Sequence, residues 1–158
     1  MATTATIAHP KLEVRSLVPP FELLSAEGQA VNIWRFKQQK NLLLVFLPDA
    51  DCPGCMEFLD SLVREYHQYH EERTEALVIV KGDADAAVHL TDRLNPPFHI
   101  LYDPEGHVTQ QYTYETPAVF VTDRFGELRA EWIARDGRFP TQKDILDTVD
   151  LINLECPE

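Results

Sequence analysis

Cys52-Pro53-Gly54-Cys55 sets two thiols three residues apart, close enough to close a small ring when oxidised. The pair follows an unbroken apolar run, Leu42 to Leu47, which Pro48 ends. It precedes a stretch with apolar residues at 55, 59, 62, 66 and 69, the spacing of an amphipathic helix. Sulfurs at or just before a helix N-terminus meet free amide N–H groups and the positive end of the helix dipole, which favour a thiolate. A thiolate is the nucleophile of disulfide exchange. In this placement Cys52 is expected to be the more exposed attacker and Cys55 the more buried resolver, one turn inside. Asp49 and Asp51 act in the opposite sense, because like charge raises a thiol pKa. A C-x-x-C is also half of a zinc site, but zinc needs two further ligands. His67 and His70 are the nearest in sequence, and they fall on the solvated side of a Glu-rich helix, so no metal and no organic cofactor is expected.

The elements that must position this pair alternate. Phe21 to Leu24 and Ala30 to Ile33 read as two short strands around Ala26-Glu27-Gly28-Gln29, with one or two helical turns after them at Trp34 to Lys40. Leu42 to Leu47 and Ala76 to Val80 have the continuous apolar character of strands buried on both faces. Between them Cys55 to about Thr74 is the amphipathic helix. Asp83 is a plausible N-cap for a helix to Leu94. Phe98 to Tyr102 is a strand, and Pro104 to Tyr112 a helix with Asp103 as its cap. Ala118 to Thr122 and Leu128 to Ala134 form a hairpin, and Thr141 to Leu154 closes the chain. Strand–helix alternation followed by an antiparallel pair implies an α/β fold. Its mixed central sheet is flanked by helices and carries an N-terminal β-hairpin extension.

The chain has 158 residues, 44% of them hydrophobic and 25% charged. These are values of an ordinary globular protein, and residues 1–158 are expected to form one domain, with 1–20 an extended N-terminal arm. With 14 basic and 26 acidic residues the net charge is -12. Nucleic acid and anionic membrane surfaces are therefore excluded as partners. No apolar run approaches the roughly 18–20 residues of a membrane span. The first residues lack the basic and apolar regions of a secretory signal, so a cytoplasmic location is expected. Three cysteines in such a chain do not suggest a structural disulfide framework.

The segments FELLSAEGQAVNI, LLLVFLPDADCPGC, LYDPEGHVTQQY and TPAVFVTDRFGELR resemble the thioredoxin-like superfamily, and especially its peroxiredoxin branch, the alkyl hydroperoxide reductase and thiol-specific antioxidant family. The resemblance covers roughly residues 15–155 and implies a thioredoxin-like fold. In the peroxiredoxin pattern P-x-x-x-[TS]-x-x-C, Pro48 matches the shielding proline and Cys55 the peroxide-attacking cysteine. Cys52 stands where a hydroxyl is usual, and Pro117 where the family places an arginine. In the thioredoxin pattern, Thr116-Pro117 matches the cis-proline that presents backbone to a bound disulfide. Two further departures are Asp51, where an aromatic residue is usual, and Phe46, where thioredoxins carry a buried acid.

The leading expectation is a thiol–disulfide oxidoreductase acting through a Cys52–Cys55 dithiol/disulfide pair, with Pro53, Gly54, Thr116 and Pro117 shaping the substrate surface. The substrate is a protein disulfide, and an external thiol reductant restores the dithiol. The alternative is a peroxiredoxin-type thiol peroxidase reducing hydroperoxides. A further alternative is a redox-inert or sensing module. Cys156 reads as a free thiol on a frayed tail, and Trp34 and Trp132 as packing groups. His89, His99 and His107 show no catalytic spacing, and Phe46 and Val119 are expected in the core.

Overall fold

A computed structural model describes residues 11–155. Cys156 and the first half of the predicted arm lie outside the described residues. Seven strands form one mixed sheet: β1 (Glu22–Ser25), β2 (Ala30–Asn32), β3 (Asn41–Leu47), β4 (Thr74–Lys81), β5 (His99–Asp103), β6 (Ala118–Thr122) and β7 (Leu128–Ile133). Their order is β2-β1-β5-β4-β3-β6-β7. The β3, β4 and β5 strands run parallel, and the other pairings are antiparallel. The predicted N-terminal hairpin is therefore an extension of the sheet itself, joined through β1 to β5.

All seven residues of β3 are buried. Alternation on the strand divides them between two faces. Leu43, Val45 and Leu47 face the apolar layer built with α1 (Cys55–Glu71), α2 (Ala84–Leu94) and α4 (Gln142–Glu155). Leu42, Leu44 and Phe46 face a second layer closed by Phe21, Ile33 and Tyr112, the last residue of α3 (His107–Tyr112). Phe46, Phe120 and Tyr112 meet there with ring centroids 4.9–5.6 Å apart. The Tyr112 hydroxyl donates to the Pro19 carbonyl at 2.5 Å and pins residues 17–20 against this face. Burial pushes that phenol far above its usual pKa.

The helix limits have local causes. Asp83 caps α2, its carboxylate accepting from the Asp85 N–H at 3.1 Å, as expected. At α4, Thr141 Oγ1 accepts from the Asp144 N–H and the Asp144 carboxylate accepts from the Thr141 N–H, a reciprocal capping box. Two expectations fail. The helix expected from Pro104 starts only at His107, because Asp103-Pro104-Glu105-Gly106 forms a turn closed by Gly106 N–H to the Asp103 carbonyl, with Gly106 at φ 77°. Asp103 still serves the helix, its carboxylate accepting from the Thr109 N–H at 2.8 Å. Trp34 is not a packing group: Asn32 caps a short 3-10 turn (Ile33–Phe36) that sends Ile33 inward and leaves Trp34 49% exposed.

Candidate functional site

The site is assembled where β3 and β7 end and β6 begins. Pro48 stops β3, since it has no N–H for the ladder. The Asp49 carboxylate then accepts the Asp51 N–H at 2.7 Å and turns the chain toward the cysteines. Gly54, at φ 75°, is the N-cap of α1, and Cys55 is the first helical residue. Cys52 and Cys55 are joined by a disulfide across 5.5 Å between Cα atoms. Both cysteines are buried, Cys55 fully and Cys52 with 7% exposure, so the two residues differ in the expected direction but only slightly. The Asp51 side chain is 80% exposed, where water and salt screen its charge from Cys52. His89 of α2 reaches the same loop, with Nε2 3.9 Å from Asp51 Oδ1.

Register brings the second loop to the same place. Phe46 pairs with Ala118, so Thr116-Pro117, just before β6, lies beside the segment that leaves β3. The Thr116–Pro117 peptide bond is cis. The Pro117 carbonyl accepts the Ala134 N–H at 2.8 Å, which ties the end of β7 to this loop. Arg135 Nη2 lies 2.7 Å from Glu115 Oε2 and links the same two segments a second time.

Sequence reasoning missed a third contributor, the segment after β7. Residues 135–139 fold back onto the cysteine loop. A Cβ on Gly54 would stand 2.6 Å from the Gly137 carbonyl oxygen, and one on Gly137 would stand 2.9 Å from the Pro53 carbonyl oxygen. Phe139 stacks on Phe58 of α1 at 4.5 Å and 17°. The available signal is the Arg135-Asp136-Gly137 triplet, a turn sequence whose partner lies more than eighty positions before it. Asp136 and Gly137 both take positive φ, 55° and 75°. Cys52, Pro53, Gly54 and Cys55 thus form one loop, Thr116 and Pro117 the loop beside it, and Gly137 the close contact on the cysteine loop.

The acid expected in thioredoxins is absent at its place: Phe46 is a fully buried ring in the aromatic cluster. Val119 is buried too, as expected. Among the described residues no group of three or more His, Cys, Asp or Glu side chains is arranged to hold a metal. No helix of the described residues is long and apolar enough to cross a membrane.

Residues 14–131 match the AhpC/TSA family model. Peroxiredoxin bcp1 of Schizosaccharomyces pombe is 25% identical over 141 residues, covering 89% of this chain and 68% of that protein. Alkyl hydroperoxide reductase E of Mycobacterium bovis is 28% identical over 141 residues, covering 84% of this chain and 92% of that protein. Among solved structures, the peroxidoxin BcpB of Mycobacterium tuberculosis superposes with a TM-score of 0.79 at 17% identity, over 89% of this chain and 98% of that one. At that identity the superposition establishes the fold, which is thioredoxin-like. A family match that spans the β3 strand, the cysteine pair and the β6 loop, on this fold, shows that the chain belongs to the AhpC/TSA family and is a thiol-dependent oxidoreductase.

Proposed function

We propose that the protein is a thiol peroxidase that reduces hydroperoxides through Cys55 and Cys52. The residue pattern alone leads with disulfide exchange, but the family match and the relatives named peroxiredoxin and alkyl hydroperoxide reductase support the peroxidase alternative better. One observation carries the reading. Cys55, seven residues past Pro48 and within the matched region, opens α1 with a second sulfur bonded to it from one turn back. Helix N–H groups and the dipole at that position favour its thiolate.

The Cys55 thiolate attacks the distal oxygen of ROOH. The O–O bond breaks, RO⁻ leaves and takes a proton to give ROH, and Cys55 becomes a sulfenic acid. The Cys52 thiol attacks that sulfur, the S–O bond breaks, and water leaves as the Cys52–Cys55 disulfide forms. An external dithiol returns two electrons and two protons. The reading sets the protein in a reducing compartment such as the cytosol, where such a reductant is at hand. Pro53 and Gly54 hold the two sulfurs in reach of each other, and Thr116 with Pro117 walls the side from which substrate arrives.

A second reading, exchange with a protein disulfide, has its own support. Pro117 stands where the peroxiredoxin resemblance places an arginine, and Cys52 keeps 7% exposure where Cys55 has none. There Cys52 attacks and Cys55 resolves, so the two readings assign opposite roles to the same pair. Cys52→Thr separates them, since it restores the hydroxyl usual at that position and removes the exchange nucleophile. The fully reduced variant is mixed with stoichiometric hydrogen peroxide, quenched with an alkylating agent and read by mass. The expected result is rapid formation of a trappable sulfenic acid on Cys55, and none in Cys55→Ser. Oxidation of Cys55 no faster than that of an ordinary low-pKa thiol, with wild type reducing a protein disulfide through Cys52, overturns the peroxidase reading.

A further inference from the structure

At the opposite end of the sheet from the cysteines, a cavity of about 290 Å³ opens between the 3-10 turn, the start of β3 and the β6–β7 turn. Leu42, at its floor, is five residues up β3 from Leu47, roughly 17 Å at about 3.3 Å per residue. The cavity is thus separate from the thiol site. Its depth is apolar, formed by Val18, Ile33, Phe36 and Leu42. Its rim carries three cations, Lys37, Lys40 and Arg124. That concentration is unusual in a chain of net charge -12.

The two lysine charges on the rim are not neutralised from inside. Among the described residues Asp123 is the one acidic residue lining the cavity, and its oxygens are engaged elsewhere. Oδ1 accepts from the Phe125 N–H at 2.9 Å and the Glu127 N–H at 3.1 Å, and Oδ2 lies 3.4 Å from Arg129 Nη1. Lys37 and Lys40 have no ion-pair partner among the described residues. The Lys37 ammonium is instead held 4.1 Å above the Trp34 ring. This fixes a positive charge at the mouth and explains why an exposed tryptophan stands there.

We propose that this cavity binds a small amphipathic carboxylate, its apolar chain or ring against Ile33, Phe36 and Leu42 and its carboxylate at Lys37 and Lys40. An apolar pocket with a few polar groups at one end fixes the orientation of such a ligand. The volume suits a molecule of about a dozen non-hydrogen atoms.

Decanoate is the probe. The full chain, labelled with 15N, is titrated with decanoate below its micellar range and followed by amide chemical shifts. Saturable shifts are expected at 33–42 and 122–126, with residues 52–55 unmoved. Decan-1-ol, which keeps the chain and loses the charge, is expected to bind about tenfold more weakly. The Lys37→Glu/Lys40→Glu double variant, at half-buried positions, is expected to lose decanoate binding by about tenfold or more while the rest of its spectrum is kept. Shifts that do not saturate, shifts centred on the cysteine loop, or equal binding of the alcohol and of the double variant would each overturn the proposal.

Discussion

Gly54 and Gly137 face each other with no space for a methyl group on either. Both hold φ 75°, a left-handed conformation that costs an alanine about 1–2 kcal/mol before any clash. Gly54→Ala adds a Cβ 2.6 Å from a backbone oxygen, so one of the two loops must move. We expect a loss of about 2–3 kcal/mol in chemical denaturation, with slower oxidation of Cys55 by peroxide. Because Gly137→Ala invades the same contact, the double variant is expected to lose less than the sum of the singles. Additive losses would mean that the two loops do not support each other. Glu131 offers a different single-residue test. It lies on β7 opposite Phe120, one carboxylate oxygen is buried without a hydrogen bond, and burial raises its pKa. A carboxyl raised in the folded state is at its most favourable below the unfolded carboxylate range, where it is neutral in both states. Stability is then lost as pH rises through the folded value. Glu131→Gln is expected to match wild type at low pH and to become the more stable protein toward neutrality, by less than about 1 kcal/mol because half the side chain stays hydrated. Thermal melts of both proteins across that range check the sign.

At the end of the sheet away from the cysteines, β6, β7 and α4 are held by one ionic cluster as well as by the core. Arg129 of β7 is 8% exposed and bonds both Asp123, at the β6–β7 turn, and Glu155, at the end of α4. Desolvation lowers the pKa of its guanidinium, but Glu155 and Asp123 together outweigh that and raise it. Glu155 also meets Arg15 of the N-terminal segment at 3.3 Å. Arg129→Ala leaves Asp123 buried with only its backbone donors, and we expect a cost of about 2–3 kcal/mol. Earlier amide exchange in α4 and in residues 15–18 than in β3 would accompany it, and uniform exchange would contradict the tether. This cluster illustrates what was legible in the sequence. The buried β3 run, the period of α1, the Asp83 cap and the cysteine pair at a strand-to-helix turn are local patterns, and all of them appear in the structure. The pairing of Arg129 with Glu155, and of Gly137 with Gly54, joins residues far apart in the chain. No local pattern encodes such contacts. The Asp103 cap stands between these cases: the residue was right, but Gly106 delays the helix, and the carboxylate reaches it from the end of a strand.

On the scale of the whole molecule, the sheet separates two apolar layers and carries different chemistry at its two ends. The thiol end is flanked by Asp49 and Asp51, while the cation-rimmed cavity lies at the other. The surrounding chain has net charge -12, so any molecule approaching Cys55 crosses a negative potential. Neutral hydrogen peroxide does not feel that field, whereas a hydroperoxide bearing a carboxylate is repelled by it. Salt screens the repulsion, the Debye length falling from about 30 Å at 0.01 M to about 10 Å at 0.1 M. We therefore expect the second-order oxidation rate with the anionic hydroperoxide to rise by about two- to fivefold over that interval, and the rate with hydrogen peroxide to stay level. Stopped-flow measurement with the two oxidants on the same reduced protein makes the comparison internal. Asp49→Asn/Asp51→Asn should remove part of the salt dependence if the loop acids dominate, and leave it whole if the field is that of the entire surface. A fall in the anionic rate with added salt would place a positive potential over the cysteines and contradict the charge distribution described.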